Sequence, residues 1–184
     1  MNLLDAAKAY RELMNYRYTF LLGHKGKAET MMLEFTKEAF HHLAGLHKKD
    51  LERVKNKKYA LDYILVDGII PQADFSYEIQ DRWNCICSLK AMIESNSLIF
   101  RLRNRELPGS NIRADYLLTD DFHLFFVDQS QPVSIFTARE DQLRNAARCL
   151  RLTTLKITRE DIFTGNIETI FVSDSYKETE TRKS

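Results

Sequence analysis

Residues 16–48 read YRYTFLLGHKGKAETMMLEFTKEAFHHLAGLHK, and how this stretch divides into elements decides the fold. Tyr16 to Leu22 is aromatic and β-prone, and the two glycines of GHKG at 23–26 interrupt it. Beyond the interruption Met31, Leu33 and Phe35 alternate with Met32 and Glu34, which is the period of a second strand. The pair is expected to form a hairpin whose turn carries Lys25 and Lys27. Thr36 then suits the cap of a short helix on which Phe40, Leu43 and Ala44 face inward, and Gly45 can end it.

Ahead of the hairpin, Leu3, Ala6, Tyr10, Leu13 and Met14 recur at helical spacing. Behind it, Leu51 to Asp67 and Ile79 to Glu94 are helix candidates separated by Pro71, the second with a stripe of Ile79, Trp83, Ile86, Leu89 and Ile93. From Ser97 the period changes to two. Leu98, Phe100 and Leu102 share one strand face, LPGSN at 107–111 is a turn, and Asp115 to Leu118 is extended. Phe122–Val127 and Val133–Thr137 are strands joined across Asp128–Pro132. Glu140–Leu150 suits a short helix, and Leu152–Thr158 and Ile167–Val172 are late strands. The expected class is α+β: an antiparallel β-sheet with N-terminal and inserted helices packed on it. Residues 1–173 are expected to form one domain with a helical insert at about 51–94, and 174–184, almost wholly polar, a disordered tail.

The 184-residue chain is long enough to bury a proper core, and 44% hydrophobic with 29% charged content is ordinary for a soluble globular protein. A net charge of +1 excludes binding of nucleic acid through bulk charge, so any such affinity must come from a local patch. No apolar run approaches the roughly 18 residues of a membrane span, and no membrane partner is expected. Cys85, Cys87 and Cys149 are odd in number and lack metal-ribbon spacing, which points to a reducing cytoplasm.

His41, His42 and His47 fall within seven positions beside Lys48 and Lys49. His41 and His42 lie about 100° apart on a helix, so both cannot face the core with Phe40. A flanking histidine can exchange protons near neutral pH; equally, one could pack and the other be solvated. The basic run could be a solvated face or could attract an anion with Lys25 and Lys27. Arg101 and Arg103, two apart on a strand, should share a face. They would hold a phosphate there or pair with Glu106 or Asp115, and the sequence leaves both readings open. Nucleotide-binding glycine loops and the hydrolase serine elbow are absent from the sequence. The histidines straddle a glycine without a carboxylate cluster, so no metal ligands and no cofactor are expected. Histidine, lysine and arginine, with Ser134 and Thr137 on a late strand, suit attack of a ribose 2′-hydroxyl on its own phosphate.

The quoted stretch resembles the start of the phage-associated Barnase–EndoU–colicin–RelE-like nucleases of the fourth class. That family opens with a tyrosine-containing strand, a glycine–lysine turn, a second strand and a Phe-x-His-Leu-x-Gly-Leu helix. Phe40, His42, Leu43, Gly45 and Leu46 fit the last element position by position, and ADYLL at 114–118, LFF at 124–126 and SIF at 134–136 are similar to later strands. The resemblance implies metal-independent RNA cleavage on a compact sheet, in a toxin or a phage or mobile-element effector, whose protein partner would be an antitoxin or immunity protein. It favours His42 over His41 as general base or acid. Lys25, Lys27, Arg101 and Arg103 would then hold phosphate, His41, His47, Lys48 and Lys49 would contact RNA, and Ser134 and Thr137 would orient the substrate. A non-catalytic RNA- or protein-binding module on the same fold is the main alternative, and a metal-dependent enzyme using His41, His42 or His47 is a third.

Overall fold

A computed structural model describes residues 1–48, 52–67, 75–95, 98–105, 107 and 111–170. Helix α1 (Leu3–Leu13) opens on Asn2, whose side chain accepts the Asp5 amide while the Asp5 carboxylate accepts the Asn2 amide. Strands β1 (Tyr16–His24) and β2 (Lys27–Glu34) follow as the expected hairpin. Lys25 (φ 48°) and Gly26 (φ 75°) supply its left-handed turn, which matches the twist of the strands. Thr36 caps α2 (Lys37–Leu43) by accepting the Ala39 amide at 3.3 Å.

The helical insert departs from one expectation. Residues 52–67 are two helices, α3 (Glu52–Lys55) and α4 (Ala60–Asp67), where Leu51 to Asp67 reads as one. Asn56 interrupts them, because its side chain takes the Lys58 amide while its carbonyl takes those of Tyr59 and Ala60. Helix α5 (Tyr77–Glu94) buries the expected stripe of Ile79, Trp83, Ile86, Leu89 and Ile93. The Trp83 indole donates to the Ala44 carbonyl at 3.0 Å, pinning α5 to the end of α2.

Strands β3 (Leu98–Arg101), β4 (Tyr116–Thr119), β5 (His123–Asp128) and β6 (Gln131–Thr137) form an antiparallel run. Helix α6 (Glu140–Ala147) leads into β7 (Leu150–Asp161), and β8 (Ile167–Ile170) returns along it. The order is β2-β1-β7-β3-β4-β5-β6. β7 is longer than its expected span because it serves several partners, β1 along residues 153–161, β3 at 150–152 and β8 at 157–160. The far edges approach each other, with the Glu34 amide donating to the Ser130 carbonyl at 2.9 Å and Thr36 bonding the Gln131 side chain. The protein is therefore α+β, with antiparallel sheets and helices packed on them. One face carries Tyr18, Phe20, Leu22, Met31, Leu33, Ile99, Phe125 and Ile135 against α1, α2 and α5. The opposite face of the later strands packs Phe100, Leu117, Leu124 and Phe126 against Ala146 of α6. The polar tail at 174–184 and the middle of the turn at 107–111 lie outside the described residues.

Candidate functional site

Along β2, Glu29, Met31 and Leu33 point to one face by the period-two rule, and Met31 and Leu33 are buried there. Glu29 takes the position of a core residue but reaches the open end of that face. Its carboxylate accepts the Arg101 guanidinium at 2.8 Å from the end of β3 and the Tyr116 hydroxyl from the start of β4. Burial first, then the bond and charge of Glu29, push the Tyr116 phenol well above its ordinary range, so at neutral pH it stays a donor. Lys27 precedes Glu29 on the same strand face and stands opposite His24 in the hairpin register. The Nε2 of His24 is buried with no hydrogen-bond partner among the described residues. A buried imidazole nitrogen without a partner calls for an explanation, and a ligand or a transferred proton is one. Glu29 and Arg101 remain open to solvent, with side chains 33% and 54% exposed.

This end of the sheet brings together Lys25, Lys27 and Arg101 from the sequence candidates, but not Arg103. β3 ends at Arg101, and Arg103 lies on a single tight turn (Arg103–Arg105) in which Asn104 has φ 53°. The expectation that the two arginines share a strand face is thus corrected, because the strand ends at Arg101 and Arg103 already belongs to the turn that runs into left-handed Asn104 and Arg105. Arg101 pairs with Glu29, while Asp115 pairs with Arg105; Glu106 lies outside the described residues.

The histidines gather elsewhere. β2 separates Lys27 from Glu34 by about 23 Å at 3.3 Å per residue, and α2 begins beyond Glu34. His41 is buried and donates Nε2–H to the Val54 carbonyl at 2.9 Å, whereas His42 and His47 are exposed. Ring centroids are 4.9 Å apart for His42 and His47, 5.9 Å for His41 and His42, and 6.4 Å for His41 and His47. Burial holds His41 and His47 below the usual histidine pKa, and the charges of His42 on both, Lys57 on His41 and Arg82 on His47 lower them further. No group of three metal-ligating side chains able to hold an ion occurs among the described residues. Lys48 is exposed beside His47, and Lys49 lies outside the described residues.

Thr137 and Ser134 do not act together. Three residues apart on β6, they face opposite sides of the sheet. The Thr137 hydroxyl donates to Asp81 of α5, while Ser134 is buried opposite Phe126 on the α6 side. Next to Thr137, the Asp120 carboxylate accepts the His123 ring at 2.9 Å and two backbone amides. Burial raises its pKa, and these bonds outweigh burial and leave it low. Glu29, Tyr116, His24 and Arg82 escaped the sequence reading. For Glu29 the signal was present, since a carboxylate stood in register with the buried positions of a strand.

The family model described as phage-Barnase-EndoU-ColicinE5/D-RelE like nuclease4 matches residues 2–181. An antiparallel sheet with helices packed on it and a cationic, carboxylate-bearing open end is the setting in which that match falls. The chain belongs to this family of nucleases. No curated protein and no solved structure matches it.

Proposed function

We propose that the chain is an endoribonuclease acting without a metal ion, and that the reaction takes place where Glu29, Arg101 and Tyr116 meet. One observation carries this reading. Three strands send a carboxylate, a guanidinium and a phenol to one half-exposed point, beside Lys27 and the partnerless nitrogen of His24. These are a base, cations and a proton donor within one another's reach, which is what transesterification of RNA needs. Glu29 takes the proton of the 2′-hydroxyl, whose oxygen attacks the adjacent phosphorus. The bond from phosphorus to the 5′ oxygen breaks as the Tyr116 phenol gives that oxygen its proton and recovers one from Glu29, to which it is hydrogen-bonded. Arg101 and Lys27 hold the non-bridging oxygens while negative charge builds on them. The products are a 2′,3′-cyclic phosphate and a free 5′-hydroxyl. The biological setting we infer is a cytoplasmic toxin or phage or mobile-element effector, with an antitoxin or immunity protein as its partner.

The test is purified protein on labelled RNA with and without EDTA. Cleavage is expected to survive EDTA and to leave a cyclic phosphate, and RNA with 2′-deoxyribose at the scissile position should stay intact. Glu29→Gln should lower kcat by about 10²–10⁴-fold. Cleavage abolished by EDTA would overturn the mechanism. RNA binding without any cleavage would instead support the non-catalytic module.

A further inference from the structure

A second positive cluster lies apart from the cleavage point. Arg82 of α5 is half-buried, and among the described residues its guanidinium forms no ion pair or hydrogen bond. Burial lowers its pKa, while Glu78 one turn earlier partly offsets this. Arg82 acts on His47, which stands 4.9 Å from His42 ring to ring. The ring of His42 also has no hydrogen-bond partner among the described residues, and the charge of Lys57, on the α3–α4 connection, acts on the adjacent His41. Of the acids on the surrounding elements, Glu78 acts on Arg82 without an ion pair to it, Asp81 accepts the Thr137 hydroxyl, and Asp62 of α4 is paired with Lys37 and Arg11. A half-buried guanidinium beside an imidazole and without an ion pair is costly unless an anion joins it. Guanidinium and imidazole donors suit the oxygens of a phosphodiester.

The distance gives this cluster its meaning. Tyr116 lies in register with Val127 and so with Pro132 at the start of β6, whereas Thr137 at the other end is tied to Asp81, the neighbour of Arg82. Five strand residues separate those ends, roughly 17 Å. We propose that His42, His47 and Arg82 bind a backbone phosphate of the nucleic-acid strand several nucleotides from the scissile bond, holding long substrates in register. The inference rests on the chain acting on RNA at Glu29, and its test separates the two.

Cleavage of a dinucleotide and binding of an RNA oligomer of about ten nucleotides, made uncleavable by 2′-deoxy substitution, are compared across variants. In the double variant His42→Gln/His47→Gln, and in Arg82→Gln, oligomer affinity should fall several-fold, and in Arg82→Gln the salt slope should also flatten by about 0.7 for the lost phosphate contact. In Arg82→Gln dinucleotide cleavage should be unchanged, and Arg82→Lys should restore part of the affinity. The two histidines are exposed, so their variant carries the test if Arg82→Gln does not fold. Glu29→Gln should show the converse, losing dinucleotide cleavage and keeping the salt slope. An unchanged affinity in the folded histidine variant would overturn the proposal. So would lost dinucleotide cleavage, which would make His42 or His47 the proton carrier. Inorganic phosphate should displace the oligomer only weakly; tight displacement through this cluster would mark a small-anion pocket and overturn the strand assignment.

Discussion

His41 and His42 are neighbours in sequence with opposite fates, and the difference has a consequence for acid stability. His41 is buried and bonded to Val54, and burial keeps it neutral in the fold. In the unfolded chain the same ring takes up a proton near pH 6.5. The unfolded state therefore binds more protons below that value, and stability present above it is lost as pH falls. His47 is shifted the same way and adds to the loss. The urea midpoint should drop between about pH 7 and pH 5, and His41→Gln, which keeps a donor for Val54 but cannot titrate, should flatten that drop. An identical slope in the variant would place the acid sensitivity elsewhere. Tyr116 shows the reverse use of burial, since desolvation keeps its phenol protonated and so a fixed donor to Glu29.

The join between α2 and α5 depends on Gly45. Its φ of +72° turns the chain out of the helix, and a β-carbon there would lie 3.2 Å from Ile79 on α5. Gly45→Ala should therefore cost about 1–3 kcal/mol, from left-handed backbone strain and crowding, measured by denaturant unfolding. The hairpin, α2 and the α5 stripe were legible in the sequence because their signals are local: alternation, a cap and a helical repeat. The break between α3 and α4 was not, since it depends on one asparagine choosing backbone partners over the helix. The extra length of β7 was hidden because strand extent follows from neighbours distant in the chain. The site divided similarly. Spacing alone marked Arg101 and Lys27, but the strand ends at Arg101 and leaves Arg103 on a turn, and the convergence on Glu29 needed three strands brought into one sheet.

At the scale of the molecule, the Lys25, Lys27 and Arg101 group stands at one end of the sheet and Arg82 on α5 near the other, so a chain of net charge +1 carries its positive charge in local groups. Holding that sheet together is β7, inserted between the N-terminal hairpin and the later strands although it follows nearly all of them in sequence. The pairs Tyr16↔Asp161 and Ile99↔Leu152 both require it. Pairings so remote in sequence form late, because loop closure must precede their reward. A chain ending before residue 150 should accordingly remain open to protease and lack cleavage, whereas a stable, active fragment would show the earlier strands to be self-sufficient. On the ribosome, Glu29 and Arg101 emerge early but are brought into one sheet only once β7 has been translated. The order of synthesis thus withholds the proposed cleavage point from the nascent chain until almost the last strand is in place.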